Sequence, residues 1–328
     1  MTKEDPVRAF LALTPDDMLD AVETLGIPCD GRFLVLNSYE NRVYRVGVEE
    51  GPPVVTKFYR PERWTDESIL EEHRFTRELE DQEIPVVAPL RAADGRTLHH
   101  SGPFRFSLYP YQGGRAMEPD NPQHLEMLGR FIGRIHAVGS RTPYRHRPAI
   151  DVDSFLREPG VFLVTEGHIP PHLERRWTAS LDMLCDIAED AIARVGHLSR
   201  IRLHGDMHHG NILWTDQGPH IVDFDDARTG PAIQDLWMFL SGDGDYLEAR
   251  LQDLLRGYDL FHDFNHAEIR LVEVMRTLRL VYHAGWLASR WRDPAFPRAF
   301  PWFDTGRYWE QLMGDLDDQA LRMQAAFA

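Results

Sequence analysis

Short strand-like runs occupy the first third of the chain. Residues 33–36, 42–46 and 54–58 are rich in β-branched and aromatic side chains, and residues typical of turns separate these runs. A helix over residues 67–79 and a further strand over residues 104–111 follow. The pattern therefore predicts a mixed α+β unit in this part of the chain.

Helical periodicity dominates after this unit. Apolar residues line one face of a first helix, and similar runs cover residues 181–195, 247–258 and 269–291; the first face comprises Leu125, Leu128, Phe131, Ile132 and Ile135. The glycines Gly113 and Gly114 indicate a break between the two parts. We predict an N-terminal lobe of residues 1–109, a linker of residues 110–114 and a C-terminal lobe of residues 115–328.

One short segment of the helical part, residues 203–224, has the pattern of two strands joined by a turn. Asp206 and Asn211 stand five positions apart in it, and Asp223 follows one hairpin later. The same spacing joins the aspartate and the asparagine of a kinase catalytic loop. Phosphoryl transfer needs a carboxylate that accepts the proton of the acceptor hydroxyl and hard oxygen ligands for magnesium. We predict Asp206 as the catalytic base, and Asn211 and the catalytic Asp223 as magnesium ligands.

Two other interpretations of this segment stay open on the residues alone. His204, Asp206, His208 and His209 are types that also build zinc or di-metal hydrolase sites, although this leaves the following hairpin unexplained. The second is a nucleotide-binding scaffold without turnover. The presence of every chemically required side chain argues against that scaffold.

The basic residues are unevenly divided between two types. Of 36, only Lys3 and Lys57 are lysines, and the other 34 are arginines. Lys57 lies in a predicted strand, and Glu71 and Glu72 lie on the predicted helix downstream. Kinases use a strand lysine paired with a helix glutamate to hold the α and β phosphates. The sequence therefore predicts Lys57 as a phosphate ligand, with one of the two glutamates as its partner.

Charge and cysteine usage exclude several other classes of protein. A net charge of −16 argues against a general nucleic-acid binder, because such affinity comes from clustered positive charge. Cys29 and Cys185 lie far apart, so we expect reduced thiols. The N-terminus lacks the layout of a signal peptide, and charges interrupt the apolar residues 271–287. We expect a cytoplasmic monomer with no nucleic-acid or membrane partner.

The candidate residues also carry a resemblance to a known family. Lys57, Glu72, the His-Gly-Asp that ends at Asp206, Asn211 and Asp223, followed by Asp235, resemble the aminoglycoside phosphotransferase and choline kinase branch of the protein-kinase-like fold. Longer strings at residues 37–44, 57–64, 230–238 and 293–302 are similar to the bacterial stress response kinase A family, also called YihE or RdoA. Within this resemblance Glu72 is preferred over Glu71, because it stands 13 positions before Pro85.

The resemblance implies a bilobal protein-kinase-like fold of the α+β class, with an N-terminal antiparallel-sheet lobe and a mainly helical C-terminal lobe. It implies an ATP- and Mg²⁺-dependent serine/threonine protein kinase that phosphorylates proteins and itself in the cytoplasmic response to stress. ATP would bind between the lobes, with Ser38 contacting a phosphate and with Lys57 and Glu72 beside it. The alternative is a small-molecule kinase of the same fold, acting on an amino alcohol or an aminoglycoside.

Two departures from protein kinases affect the expected mechanism. Residues 37–44 contain no glycine, so Ser38 and backbone amides would contact the phosphates. Only eleven residues separate Asp223 from Asp235, which is too short for a phosphorylatable activation loop.

Several further side chains have more than one interpretation. Asp225 and Asp226 would bind a second metal ion or form a solvated turn with Arg228 as partner. His136 is predicted to be a hydrogen-bonded core histidine, and His204 to support the catalytic loop. The aromatic residues Trp286, Trp291, Phe296, Phe300 and Trp302 are predicted to pack between helices or to form a wall that faces the substrate.

Overall fold

A five-stranded antiparallel sheet forms the centre of the N-terminal lobe. The structure, a computed structural model, describes residues 6–198, 200–240 and 244–328. The strands are β1 (Cys29–Val35), β2 (Arg42–Val48), β3 (Val54–Phe58), β4 (His99–Ser101) and β5 (Phe104–Pro110), in the spatial order β1-β2-β3-β5-β4. Lys57 on the central strand β3 pairs with Val43 on one side and Ser107 on the other.

Three helices cover this sheet: α1 (Pro6–Leu11), α2 (Pro15–Glu23) and α3 (Asp66–Asp81). Side-chain caps start two of them, because Thr14 accepts a hydrogen bond from the Asp17 backbone and Thr65 accepts one from the Ser68 backbone, both at 3.2 Å. α3 confirms the helix predicted over residues 67–79 and is slightly longer at each end. Glu72 on this helix is buried.

The C-terminal lobe is mainly helical, as its periodicity predicted. Its helices are α4 (Pro122–Gly139), α5 (Glu158–Thr165), α6 (Glu174–Val195), α7 (Gly244–Tyr258), α8 (Val272–Ser289), α9 (Ala295–Ala299) and α10 (Gly306–Ala325). α4 and α7 approach closely at Gly257, where a Cβ atom would lie only 1.9 Å from the carbonyl oxygen of Glu126. Among the described residues, no helix is both long enough and apolar enough to span a bilayer.

Two small sheets in this lobe carry the candidate site. One contains β6 (Arg115–Ala116), β8 (Ile212–Thr215) and β9 (Gly218–Ile221), and the other contains β7 (Ile201–Leu203) and β10 (Arg228–Gly230). The β8–β9 hairpin confirms the predicted strand-turn-strand segment. It places Asn211 immediately before β8 and Asp223 shortly after β9.

The linker and a backbone hydrogen bond connect the β8–β9 hairpin to the N-terminal lobe. β5 ends at Pro110, and the chain then runs to β6, which pairs with β8. A glycine is required at position 114 of this linker, because a Cβ atom on Gly114 would lie 2.8 Å from the Cβ of Leu213. In addition, the backbone N–H of Ile221 at the end of β9 donates to the carbonyl oxygen of Pro85 in the N-terminal lobe at 2.8 Å. The hairpin that carries the candidate site is therefore joined directly to the N-terminal lobe.

Candidate active site

The cleft between the lobes contains two connected cavities. The inner cavity, of about 220 Å³, is lined by apolar side chains from both lobes and by polar residues that include Lys57 and Glu72. The outer cavity, of about 460 Å³, opens beside Asp206. Ser38 and Asp223 line both cavities, so a ligand can extend from one into the other.

The loop after β7 carries Asp206, and a buried carboxylate fixes its backbone. Asp235 accepts hydrogen bonds from the backbone N–H groups of His204 at 2.8 Å and Gly205 at 2.9 Å. Nε2 of His204 bonds to the carbonyl of Val222 at 2.9 Å, as expected of a loop-supporting histidine. Gly205 has a φ of +85°, and a Cβ there would clash with a backbone carbonyl oxygen at 2.2 Å. These contacts hold Asp206 at the edge of the outer cavity.

Two basic side chains contact the Asp206 carboxylate. Arg279 Nη1 on α8 lies 2.5 Å from its Oδ1, and His208 Nε2 lies 3.5 Å from its Oδ2. His208 Nδ1 accepts a hydrogen bond from the Gly210 backbone, which leaves the proton of the neutral ring on Nε2. Burial alone would raise the pKa of Asp206, but the His208 hydrogen bond and the Arg279 charge hold it well below its usual range. Asp206 is therefore a carboxylate at neutral pH, as a proton acceptor must be.

Asn211 and Asp223 supply oxygen atoms suited to a hard cation. The Asn211 amide nitrogen donates to the backbone carbonyl of Asp206 at 2.9 Å, which leaves its amide oxygen for another partner. Asp223 has a left-handed backbone with a φ of 63°, and 53% of its side chain is exposed. Both residues line the outer cavity with Asp206. This donor set fits magnesium, which prefers a few carboxylate or amide oxygens and completes its shell with water and phosphate.

Lys57 is buried between two carboxylates of the segment after β9. Its Nζ lies 3.1 Å from Asp223 Oδ1 and 2.9 Å from Asp225 Oδ1. Burial alone would lower the pKa of Lys57, but Asp223, Asp225 and Glu72 together hold it well above its usual range. The side chain therefore carries a fixed positive charge at the wall of the inner cavity.

The direct ion pair between Lys57 and Glu72 that the sequence suggested is not formed. The Glu72 carboxylate instead lies 3.3 Å from the guanidinium of Arg147, a buried residue of the C-terminal lobe. Burial raises the pKa of Glu72 to about 7, against the attraction of Lys57 and Arg147. The reason is competition, because buried Arg147 is the nearer cation for Glu72 and Asp223 and Asp225 occupy Lys57. Glu72 still lines the inner cavity, so its role beside ATP stays a prediction.

Glu71 has a different task. Its carboxylate accepts the backbone N–H groups of Arg145, His146 and Arg147, at 2.7, 2.7 and 3.0 Å. These bonds connect α3 to the C-terminal lobe. Of the two glutamates, only Glu72 lines the inner cavity.

The solvated turn considered for Asp225 is wrong. Asp225 is buried, and both of its oxygens face cations, Lys57 on one and Arg63 on the other. Asp226 is less buried and lies 2.7 Å from Arg63 and 3.6 Å from Arg228. Burial alone would raise the pKa of Asp225, but Arg63 and Lys57 hold it well below its usual range. Because cations engage these carboxylates, a second metal would have to displace an ion pair.

The loop between β1 and β2 contacts the C-terminal lobe over the cleft. Glu40 accepts the Trp286 indole N–H at 2.5 Å and pairs with Arg290 at 2.9 Å, both at the end of α8. The ring of Tyr39 lies 4.8 Å from that of Phe300. Ser38 precedes these residues and lines both cavities. Its contact with an ATP phosphate stays a prediction.

The hydrolase interpretation finds no support in the described part of the chain. No three His, Cys, Asp or Glu side chains there are grouped as a metal site would require. Both ring nitrogens of His204 have backbone partners, Val222 and Asp206. His209 packs on Phe239, with ring centroids 4.9 Å apart.

Other side chains behave as the sequence predicted. His136 is fully buried and bonds to Tyr258 at 2.8 Å and to Asp235 at 3.1 Å, which confirms it as a core histidine. The five aromatic residues named in the sequence analysis differ in where they lie, and a role in facing the substrate stays a prediction. Phe296 is fully buried, whereas Trp286 and Phe300 line the outer cavity.

Sequence reasoning missed four charged residues of the site: Glu40, Arg63, Arg147 and Arg279. Each meets partners far away in the chain, as in the contact of Arg279 with Asp206. Arginine is the usual basic residue here, so composition does not single out these positions. The one available signal was the lack of acidic residues along α8, between Glu273 and Asp293.

Comparison with known proteins shows the family of this chain. The model of the phosphotransferase enzyme family matches residues 33–272. Stress response kinase A of Escherichia coli strain K12 is 44% identical over 315 residues, which cover 96% of this chain and 95% of that protein. The chain belongs to the phosphotransferase enzyme family and, within it, to the family of stress response kinase A. The serine/threonine protein kinase RdoA of Salmonella typhimurium is 42% identical over 307 residues, covering 94% of this chain and 92% of that protein.

Solved structures show the same fold at lower identity. The amicoumacin kinase hAmiN, in complex with AMP-PNP, Ca²⁺ and Ami, superposes with a TM-score of 0.76 at 21% identity, over 97% of this chain and 96% of that one. A microcompartment-associated aminopropanol kinase superposes with a TM-score of 0.67 at 19% identity, over 93% of this chain and 94% of that one. These similarities confirm the predicted kinase-like fold, with an antiparallel-sheet lobe and a helical lobe.

Proposed function

We propose that this kinase is an ATP- and Mg²⁺-dependent serine/threonine protein kinase that also phosphorylates itself, acting in the cytoplasm in a bacterial stress response. The observation that carries the proposal is the assembly of Lys57, Asp206, Asn211 and Asp223 around one cleft. Lys57 and Asp223 are 166 positions apart in the chain, yet their charged groups lie 3.1 Å apart.

The inner cavity has the character of an adenine site. Val43 and Val55 line it from the sheet, and Leu213 and Val222 line it from the hairpin. A flat base between such apolar walls excludes water, and the nearby linker offers backbone hydrogen-bonding groups. The phosphates would then extend toward Lys57 and the outer cavity.

Charge around the phosphates would come from both lobes. Lys57 would bind the α and β phosphates as a fixed point charge, with Ser38 covering them from the β1–β2 loop. Asn211 and Asp223 would hold magnesium, which neutralises negative charge on the phosphates when bound. Because Lys57 already pairs with Asp223 and Asp225, nucleotide binding would redistribute these ion pairs.

Asp206 would position and deprotonate the acceptor. Its carboxylate faces the outer cavity, where an acceptor hydroxyl can approach, and it is ionised at neutral pH. Such a carboxylate orients the hydroxyl for in-line attack and accepts its proton as the new phosphorus–oxygen bond forms.

A protein acceptor is supported by the name of one relative, the serine/threonine protein kinase RdoA, which is 42% identical along almost its whole length. The small-molecule kinases among the solved structures are 21% identical or less, and at that level they support the fold alone. We therefore retain an amino alcohol or aminoglycoside kinase only as the alternative outcome of the test.

The test is phosphate transfer from labelled ATP to general protein acceptors and to a panel of amino alcohols. We expect labelling of proteins and of the kinase itself, and a rate lowered about 10²- to 10⁴-fold by Asp206→Asn. Asp216→Asn, in the exposed turn of the same hairpin, is the matched control. Unchanged transfer by folded Asp206→Asn would remove Asp206 as the base. Transfer to amino alcohols alone would establish the alternative.

A further inference from the structure

The wall of the outer cavity opposite the hairpin is formed by α8 and carries no negative charge. Arg279, Tyr282, His283 and Trp286 line the cavity from this helix. Residues 274–292 contain four arginines and no aspartate or glutamate, in a chain with 52 acidic residues. Burial, and then the nearby Arg279, lower the pKa of His283 to about 4, so this ring is neutral at physiological pH. The wall therefore offers the acceptor one cation and several aromatic or neutral groups.

Arg279 differs from the other cations of this cavity in how its charge is used. Arg63 contacts three carboxylates, those of Glu40, Asp225 and Asp226. Arg279 pairs with Asp206 through Nη1, and within the described chain its other nitrogens make no hydrogen bond or ion pair. About a third of its side chain, 36%, is exposed to the cavity and solvent. It thus combines a contact to the catalytic carboxylate with donors that a ligand can reach.

We propose that Arg279 is a specificity-determining residue that binds an anionic group beside the acceptor hydroxyl, such as the carboxylate of an aspartate or glutamate next to the target serine or threonine. The inference rests on the proposed phosphoryl transfer. A guanidinium presents several N–H donors in one plane, so the free edge of Arg279 can bind a carboxylate while its Nη1 contacts Asp206. The anion and the hydroxyl would then be fixed relative to each other.

The remaining carboxylates of the cavity do not provide a site for a cationic acceptor. Glu40 accepts hydrogen bonds from Trp286 and Arg290, and Asp226 pairs with Arg63. Asp223 contacts Lys57 and faces the proposed magnesium. An ammonium group in this cavity would meet Arg279 without a free carboxylate nearby, and like charges at close range oppose binding.

The experiment compares acceptors that differ only in charge. Serine peptides carry Glu, Gln or Lys at each of the two positions on either side of the serine, and small alcohols carry a carboxylate, a carboxamide or an ammonium group. For the unmodified kinase we expect kcat/KM to be roughly tenfold higher for the anionic member, as for a charge-assisted contact that is partly exposed. Arg279→Met should abolish this preference, and Arg279→Glu should reverse it toward the cationic member.

A variant that keeps the charge separates a contact to the acceptor from a structural effect. Arg279→Lys keeps the positive charge but lacks the planar set of donors, so it should retain part of the anionic preference that Arg279→Met loses. Arg276→Met is the matched control, because Arg276 lies one turn earlier on α8 and pairs with Glu273. It should leave the acceptor preference unchanged.

The inference is overturned if the unmodified kinase does not prefer the anionic members, or if Arg279→Met retains that preference. Equal loss of rate with every acceptor in Arg279→Met would also overturn it, while leaving phosphoryl transfer by Asp206 intact. Failure of the proposed function has a different signature, namely full activity of Asp206→Asn.

Discussion

Arg147 connects the two lobes beneath the active site, and its removal should be among the most damaging single changes in the protein. Its buried guanidinium donates to the carbonyl oxygens of Ser68 at 3.1 Å and Ala227 at 2.5 Å, and to that of Asp225. It also lies 3.3 Å from the Glu72 carboxylate. Arg147→Met keeps much of the side-chain volume and removes every one of these donors.

The expected loss of stability follows from the buried groups that Arg147→Met leaves without a partner. Three carbonyl oxygens lose a buried donor, which costs about 1–3 kcal/mol for an unsatisfied group, and these losses are not additive. Breaking a buried ion pair by removing one partner costs about 3–5 kcal/mol. We therefore expect Arg147→Met to lower the free energy of unfolding by about 3–5 kcal/mol at pH 8.

The loss of stability in Arg147→Met should depend on pH, because protonation removes the unpaired charge of the buried Glu72 carboxylate. Burial already raises the pKa of Glu72 to about 7, and loss of the Arg147 cation raises it further. An acid whose pKa is raised on folding destabilises the native state as pH rises from its unfolded value toward its folded value. The variant should therefore lose more stability than the parent between pH 5.5 and pH 8.

Urea unfolding followed by tryptophan fluorescence at pH 5.5 and pH 8 measures both quantities. Glu72→Gln and the double variant complete a cycle, in which we expect a coupling energy of about 1–3 kcal/mol at pH 8. Arg145→Met, two residues away and exposed, is the control. A loss below about 1 kcal/mol at both pH values, or additive effects of the two substitutions, would refute this account.

Three further predictions concern the nucleotide, the loop over it and the core. Lys57→Met should lower kcat/KM for ATP about 10²-fold, since it removes a preorganised charge from the phosphates; steady-state kinetics with unchanged values would exclude this role. Glu40→Gln weakens the contact of the β1–β2 loop with α8 and should raise KM for ATP about tenfold, whereas the exposed Glu50→Gln should not. Burial raises the pKa of Glu268 to about 7, so its ionisation should destabilise the fold between about pH 4.5 and pH 7. Glu268→Gln should remove this slope and be more stable than the parent at pH 8 by up to about 3 kcal/mol in urea titrations; parallel stability–pH curves would contradict this.

The helices, the strands and the chemistry that depends on local spacing can be predicted from the amino-acid sequence. The five positions between Asp206 and Asn211, and the hairpin that leads to Asp223, are local features. A reverse turn and two short strands bring these residues close together, and the packing of the two lobes builds the cavity around them. Lys57 was recognisable for a different reason, because it is the single lysine beyond Lys3.

The pairing of the charges, by contrast, follows from the packing of the two lobes. Glu72 was assigned to Lys57 on the pattern of kinases, yet the folded chain places Arg147 beside Glu72 and two aspartates beside Lys57. Buried ion pairs depend on which groups lose water together and on distances set by the packing of whole lobes. The contact of Arg279 with Asp206 has the same origin, since it joins residues 73 positions apart. Local spacing can predict which residues carry chemistry, whereas the partner of each charge is fixed only when the lobes pack together.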